Sequence, residues 1–183
     1  RERITDDIYV FVSERYAQVT AGVVRTDQGA VVIDTLAFPE ETQRIRRFVH
    51  DRLDLDVLFV VNTHFHADHT TGTCFFERAQ VIAHHKCRDL LDERGRISLE
   101  QARSVSPEMQ DVSLVLPNIL FDSHLTLHLG NKTLRLWSSP GHSPDSIMCL
   151  VEEDQVLFAA DTLMPLPYFV DGDYHDFLRS LRS

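Results

Sequence analysis

The stretch "NTHFHADHTTG", residues 62–72, follows the apolar run "VLFVV" and concentrates metal-binding side chains in one short loop. It holds three histidines and one aspartate within six positions, namely His64, His66, Asp68 and His69. On a turn, His64 and His66 can converge on one ion, whereas Asp68 and His69 can point to a neighbouring position. Neutral imidazoles and a carboxylate at this spacing suit Zn²⁺. The loop therefore predicts a metal site at the end of a buried strand.

Two further segments offer ligands for this site. "SSPGHSPDS" (138–146) places His142 on a loop shaped by prolines and a glycine, directly after the apolar strand "TLRLW". "VLFAADTL" (156–163) places Asp161 at the end of another apolar strand, where a carboxylate has no evident structural purpose. The two oxygens of Asp161 could bridge two cations about 3.5–4 Å apart. We therefore expect a site with room for one or two metal ions.

The arrangement of strands and helices predicts two packed sheets with helices outside. Residues 7–36 are rich in β-branched residues separated by turn formers, and "PEETQRIRRFVHDRL" (39–53) has the spacing of an amphipathic helix. "DVLFVV" (56–61) is apolar on both faces and predicts a buried strand, and "HKCRDLLDER" (85–94) predicts a helix. Alternating strands around Gly130-Asn131 and Glu153-Asp154 predict two hairpins, whereas the polar stretch 95–113 predicts no element.

Length, composition and charge limit the classes of function. The 183 residues, 43% of them hydrophobic, predict a single domain spanning 1–183. No apolar run approaches the roughly 18–20 residues of a membrane helix, so we expect no membrane partner. A net charge of −10 disfavours nucleic acid as a partner, which leaves a small-molecule substrate. Three cysteines without paired-motif spacing predict reduced thiols and a cytoplasmic location.

Taken together, "VVIDT" (31–35), the metal loop, "PGHSPDS" (140–146) and "VLFAADTL" resemble the metallo-β-lactamase-fold hydrolase superfamily. The resemblance implies a mixed α/β fold, the αββα sandwich of that superfamily. It implies that one metal ion is held by His64, His66 and His142. It implies that a second ion is held by Asp68 and His69, and that Asp161 bridges the two. Asp34 would orient the metal loop by hydrogen bonding, unless it is simply an aspartate of a strand-end turn.

The chain departs from the family pattern near its end. Dinuclear members usually carry one more histidine there, but after Asp161 this chain has only His175, in a helix predicted within "GDYHDFLRSLRS" (172–183). We expect His175 to lie on the surface, and the fold to be incomplete at the C-terminus. The second metal ion should then bind weakly. Apolar surface should be exposed, which favours a homo-oligomer or a complementing C-terminal segment.

The resemblance implies a metal-dependent hydrolase that uses a metal-bound hydroxide to cleave a small ester, thioester or lactone. Asp68 would be the catalytic residue, orienting the nucleophile and shuttling a proton to the leaving group. Zn²⁺ is the expected ion, with iron or manganese as alternatives. Two other functions stay open: a mononuclear iron thiol or persulfide dioxygenase, and a catalytically silent relative that keeps metal ligands for stability or assembly.

Several other polar side chains have a simpler interpretation. His84 and His85 follow a strand, where an imidazole could reach a pocket, but capping of the strand is the favoured interpretation. His128 lies on the face opposite Leu127 and should contact solvent. Cys149 lies in a strand of core character and should serve packing.

Overall fold

The computed structural model describes residues 1–169 and 171–182, and its strands form two sheets. The first sheet follows chain order: β1 (Glu2–Arg3), β2 (Ile8–Val12), β3 (Thr20–Arg25), β4 (Ala30–Ile33), β5 (Val57–Val61), β6 (Gln80–His84) and β7 (Ile119–Phe121). The second has the order β11 (Val156–Phe158), β10 (Ile147–Val151), β9 (Lys132–Ser138) and β8 (His124–Leu129). Strands β1 to β4 are antiparallel, β4 to β7 run parallel, and the second sheet is antiparallel throughout.

In the part of the chain that the structure describes, five α-helices accompany the sheets: α1 (Pro39–Leu53), α2 (Ala67–Thr70), α3 (His85–Leu90), α4 (Arg96–Val105) and α5 (Tyr174–Ser180). The helix α1 has the predicted bounds, because Pro39 starts its first turn and Asp54 ends it in a left-handed conformation. Ile45 and Val49 on its buried face pack against the first sheet. The longest helix in the described part of the chain is α1, and no helix there could cross a membrane.

The main core lies between the two sheets. Ile33 and Val61 of the first sheet contact a cluster that includes Leu136 and Cys149 of the second sheet. The neighbouring Val60 of β5 faces α1 instead, so this strand is buried on both of its faces, as predicted. The predicted layers, two sheets packed on each other with a helix outside, are confirmed. Cys149 is fully buried in this core, which agrees with a packing role.

The two predicted hairpins are also confirmed. Strands β8 and β9 pair around Gly130-Asn131, and β10 and β11 pair around Glu153-Asp154. Gly130 has a φ of +57°, a conformation that favours glycine at the tip of a tight turn.

One helix was missed. The helix α4 lies in the polar stretch 95–113, where no element was predicted, and it continues α3 through a π-helical turn at Leu91–Gly95. It is amphipathic, but all ten of its residues are described by the structure and none of them is buried. The amphipathic spacing is present in the sequence, but its few apolar positions stand among polar residues, and the prediction followed the overall polarity of the stretch.

The C-terminal helix α5 docks on the loop between β9 and β10. Phe177 is buried there, and Ser180 Oγ donates a 2.6 Å hydrogen bond to the carbonyl oxygen of Pro140. Gly141 makes this contact possible: its φ is +155°, and a Cβ atom at this position would lie 2.5 Å from Cα of Phe177. The docking therefore fixes the conformation of the residue immediately before His142.

We expect Gly141→Ala to lower the free energy of unfolding by about 2–3 kcal/mol, because the new Cβ meets backbone at a strained φ. Gly95→Ala is the matched control. Gly95 has a helical φ of −63°, and a Cβ there meets only the ends of the leucine side chains Leu114 and Leu91, not backbone. Its stability should stay within about 1 kcal/mol of the original chain. Urea unfolding of the metal-free protein measures both variants, and equal losses would contradict this account of Gly141.

Candidate metal centre

The predicted ligand residues come from three places in the fold and meet at one edge of the sheets. The loop after β5 carries His64, His66, Asp68 and His69, the loop after β9 carries His142, and the turn after β11 carries Asp161. One ligand atom from each of His64, His66 and His142 lies within 4.8 Å of the other two. His64, His69 and Asp161 form a second group by the same measure.

The loops are held together by backbone hydrogen bonds. The backbone nitrogen of Ile147, at the start of β10, donates to the carbonyl oxygen of Thr63 over 2.9 Å, which joins the two sheets at the site. Thr35 donates to the carbonyl oxygen of His69 from both its backbone nitrogen and its hydroxyl. Gly72 is packed so tightly against Thr42 that a Cβ atom would clash. The conformation of the metal loop is therefore set by the strands around it.

In each histidine of the first group, one ring nitrogen is engaged by an acceptor outside the group. His142 Nδ1 donates to the carbonyl oxygen of Tyr168 over 2.8 Å. His66 Nε2 donates to Asp171 over 3.0 Å. The Thr63 hydroxyl gives its hydrogen to Asp34, so it accepts from His64 Nδ1 at 3.1 Å. Each neutral ring therefore carries its proton on the outer nitrogen and turns a lone pair inwards.

The inward nitrogens are close enough to require a positive charge between them. His66 Nδ1 lies 3.0 Å from His64 Nε2 and 3.0 Å from His142 Nε2. A neutral ring that moved its proton to the inward nitrogen would lose its outer hydrogen bond, because a neutral imidazole carries only one N–H. Three lone pairs at this separation fit a divalent cation bound by neutral imidazoles.

The second group has a similar unsatisfied atom. His69 Nδ1 donates to Asp34 over 2.8 Å, and its Nε2 faces Asp161 at 3.2 Å and Asp68 at 3.6 Å. This Nε2 is buried and has no hydrogen-bond partner among the described residues. Asp161 also lies 3.5 Å from His142 Nε2, so it stands between the two groups. The donor set fits a second cation beside the first.

The electrostatics of the metal-free site reflect this crowding. Burial, together with the surrounding histidines, holds the pKa of His64 well below its ordinary value. Burial also acts to lower the pKa of His69, but the charge of Asp34 and the nearby Asp161 outweigh it and raise this pKa to about 10. Burial acts to raise the pKa of Asp161, but the neighbouring histidines lower it. Without a cation, the carboxylates around His69 therefore favour a positive charge on its ring.

Asp34 is the central anchor of the metal loop. It is buried, and its φ of +58° turns the chain at the end of β4. One carboxylate oxygen accepts the backbone N–H of Thr63 over 2.8 Å, and the other accepts the Thr63 hydroxyl and His69 Nδ1. Of the two interpretations given to Asp34, the structure supports orientation of the loop.

Sequence reasoning missed two residues outside the metal loop that form hydrogen bonds with the ligand histidines. Asp171 contacts His66 with one oxygen and the guanidinium of Arg94 with the other, at 2.9 Å. Tyr168 contributes only its carbonyl oxygen. No local pattern marks either residue, because their role depends on where Tyr168 and Asp171 lie relative to the site.

The remaining histidines lie where the sequence suggested. His84 caps α3 by accepting from the backbone N–H of Lys86, so its ring has a structural partner. It lies near His85 and Asp122, and Asp122 is highly exposed. His128 and His175 are exposed.

Family comparison agrees with this geometry. The model of the metallo-beta-lactamase superfamily matches residues 15–182. A metallo-beta-lactamase from Pontibacter korlensis superposes with a TM-score of 0.82 at 20% identity, covering 99% of this chain and 82% of that one. At this identity the superposition shows the fold alone.

Curated relatives carry several activities. "Acyl-coenzyme A thioesterase MBLAC2" of Bos taurus is 30% identical over 83% of this chain and 63% of its own length. "Thioesterase pkgB" of Emericella nidulans is 26% identical over 87% of this chain and 40% of its own length. "Persulfide dioxygenase ETHE1, mitochondrial" of Homo sapiens is 27% identical over 76% of this chain and 45% of its own length. The chain spans less than two thirds of each of these relatives. It belongs to the metallo-beta-lactamase superfamily.

Proposed function

We propose that this chain carries the active site of a metal-dependent hydrolase that cleaves a small thioester, ester or lactone. The observation that carries the proposal is the convergence of one ring nitrogen each from His64, His66 and His142, with His66 Nδ1 only 3.0 Å from the other two. Such a donor set can hold a divalent cation. The carboxylate of Asp68 lies 3.6 Å from His69 Nε2 and lines a cavity that His66 also lines.

The cation supplies the nucleophile: when bound, it lowers the pKa of a water ligand towards about 7, so hydroxide is available at neutral pH. His64, His66 and His142 would hold the first ion. Asp68, His69 and Asp161 would hold a second. Neutral imidazoles with carboxylates favour Zn²⁺, and the same set also suits iron or manganese.

The residues of the chain then have distinct tasks. Asp34 keeps His69 oriented, and Asp171 does the same for His66, each through a hydrogen bond to the outer ring nitrogen. Asp68 is half-buried, 3.6 Å from His69 Nε2, and it also lines the cavity. From there its carboxylate can orient a water molecule and pass a proton to the leaving group.

The substrate class follows from charge and similarity. The net charge of −10 disfavours a polyanionic nucleic acid substrate, so we propose a small molecule. Two of the curated relatives are thioesterases by name, which makes a thioester the leading candidate within the proposed class. Similarity to a persulfide dioxygenase supports iron-dependent oxidation of a thiol as the second candidate.

We expect thioester hydrolysis by the zinc-loaded protein to fall at least about 100-fold on chelation and to return when Zn²⁺ is added. His66→Ala should cause a loss of the same order, because it removes one of three ligands. His175→Ala removes an exposed histidine that belongs to neither ligand group and should change the rate less than twofold. Thiol release from an acyl thioester measures all of these rates.

The same preparation separates the alternatives. Oxygen consumption with a thiol or persulfide by the iron-loaded protein, without thioester hydrolysis, would favour the dioxygenase. Metal binding with neither activity would favour a catalytically silent relative.

We expect Asp34→Asn to weaken zinc affinity about 10–100-fold, because the amide cannot accept all three hydrogen bonds that the carboxylate accepts. Competition with a chromophoric chelator measures the affinity. Asp27→Asn, on an exposed turn, is the control and should leave the affinity unchanged. An affinity of Asp34→Asn equal to that of the control would show that Asp34 does not orient the ligands.

A further inference from the structure

A cavity of about 560 Å³ lies against the outer face of the metal loop. Its volume is within the roughly 300–1,000 Å³ typical of small-molecule sites. Phe65, His66 and Asp68 form one wall, and the opposite wall comes from the helical segment 91–105 and from the chain that follows it, including Met109, Val112 and Leu114. The cavity therefore begins at the proposed site of reaction and extends away from it.

The helix α4 faces this cavity instead of the core. Gly95, Ser98, Leu99 and Ala102 recur at helical spacing and line the cavity together. Leu99 and Ala102 are half-buried, although they form the apolar face of an amphipathic helix. The apolar side chains of this helix face are not buried by the described part of the chain. An apolar ligand in the cavity would remove them from water.

The charged groups of the lining are confined to one end. Among the described residues that line the cavity, they are Asp68, Arg94 and Asp171, next to His66. Arg94 donates a hydrogen bond to Asp171, and Asp171 accepts one from His66. These three side chains therefore form one hydrogen-bonded group at the metal loop. The wall beyond this group consists of apolar and hydroxyl-bearing side chains. The cavity is therefore polar where the reaction would occur and apolar beyond it.

We propose that this cavity binds the acyl chain of the substrate and that α4 sets the chain length it accepts. The proposal rests on the proposed function, because it places the scissile carbonyl at the His66–Asp68 end. The acyl chain then extends along Leu99 and Ala102. A charged or strongly polar thiol leaving group would lose its hydration against this wall, so it leaves towards solvent. The substrate class is a thioester of an unbranched, apolar carboxylic acid.

The test is the dependence of kcat/KM on acyl length. Straight-chain acyl thioesters of N-acetylcysteamine, from two to fourteen carbons, are assayed with the zinc-loaded protein. Each buried methylene should raise kcat/KM roughly fourfold until the cavity is full, after which kcat/KM should fall. A value independent of chain length would overturn the proposal.

Two phenylalanine variants of α4 test the role of the helix. Ala102→Phe places a ring in the cavity, so the ratio of kcat/KM for the octanoyl to the acetyl thioester should fall at least tenfold. Val105→Phe is the matched control: Val105 is 82% exposed on the same helix and does not line the cavity. Its ratio should match that of the original chain. Equal ratios in both variants would show that α4 does not set the length.

Calorimetric titration with decanoate measures binding in the cavity without requiring hydrolysis, so it tests this proposal separately from the proposed function. Thioester hydrolysis without chain-length dependence overturns the acyl cavity and leaves the hydrolase standing. Binding of decanoate that Ala102→Phe abolishes and Val105→Phe preserves supports the cavity, even where no thioester is hydrolysed. The absence of decanoate binding likewise overturns the cavity proposal.

Discussion

Three imidazole nitrogens point at one another, each with its lone pair inwards, and much of the chain serves to keep them so. A carboxylate, a hydroxyl and a backbone carbonyl each fix the outer nitrogen of one ring, and with it the ring's tautomer and orientation. Lone pairs only 3.0 Å apart repel one another without a cation. The fold therefore holds the donors in an arrangement that a metal ion would stabilise. This arrangement is the main evidence for a metal site in the chain.

The two sheets explain how the three ring nitrogens are held so close together. The ligands follow strands of two different sheets, and the sheets share a continuous apolar core directly beneath the site. Asp34 connects the end of β4 to the loop after β5, while Ile147 connects the loop to the second sheet. Moving one histidine would therefore disturb a strand end on each side. Rigid strands, more than the loop itself, position the donors.

The helical segment 85–105 has a different relation to the core. Its first part packs on the sheet through Cys87 and Leu91, but α4 stands away from the core and faces a cavity. Metal ligands of this kind can serve proteins of different function, so selectivity must come from what surrounds them. In this chain, the surroundings are an apolar wall and one group of charges connected to a metal ligand, Asp171 with Arg94.

The sequence by itself determined the layers of the fold, the bounds of α1, the hairpins and the side chains that meet at the site. It could do so because these features are local: periodicity marks a buried face, and histidines crowded after an apolar strand mark a ligand loop. Only the tertiary structure decided which nitrogen of each ring turns inwards, that Asp171 holds His66, and that α4 lines a cavity. Those features depend on segments far apart in the chain, and a side chain's partner across such a distance leaves no pattern in the residues beside it.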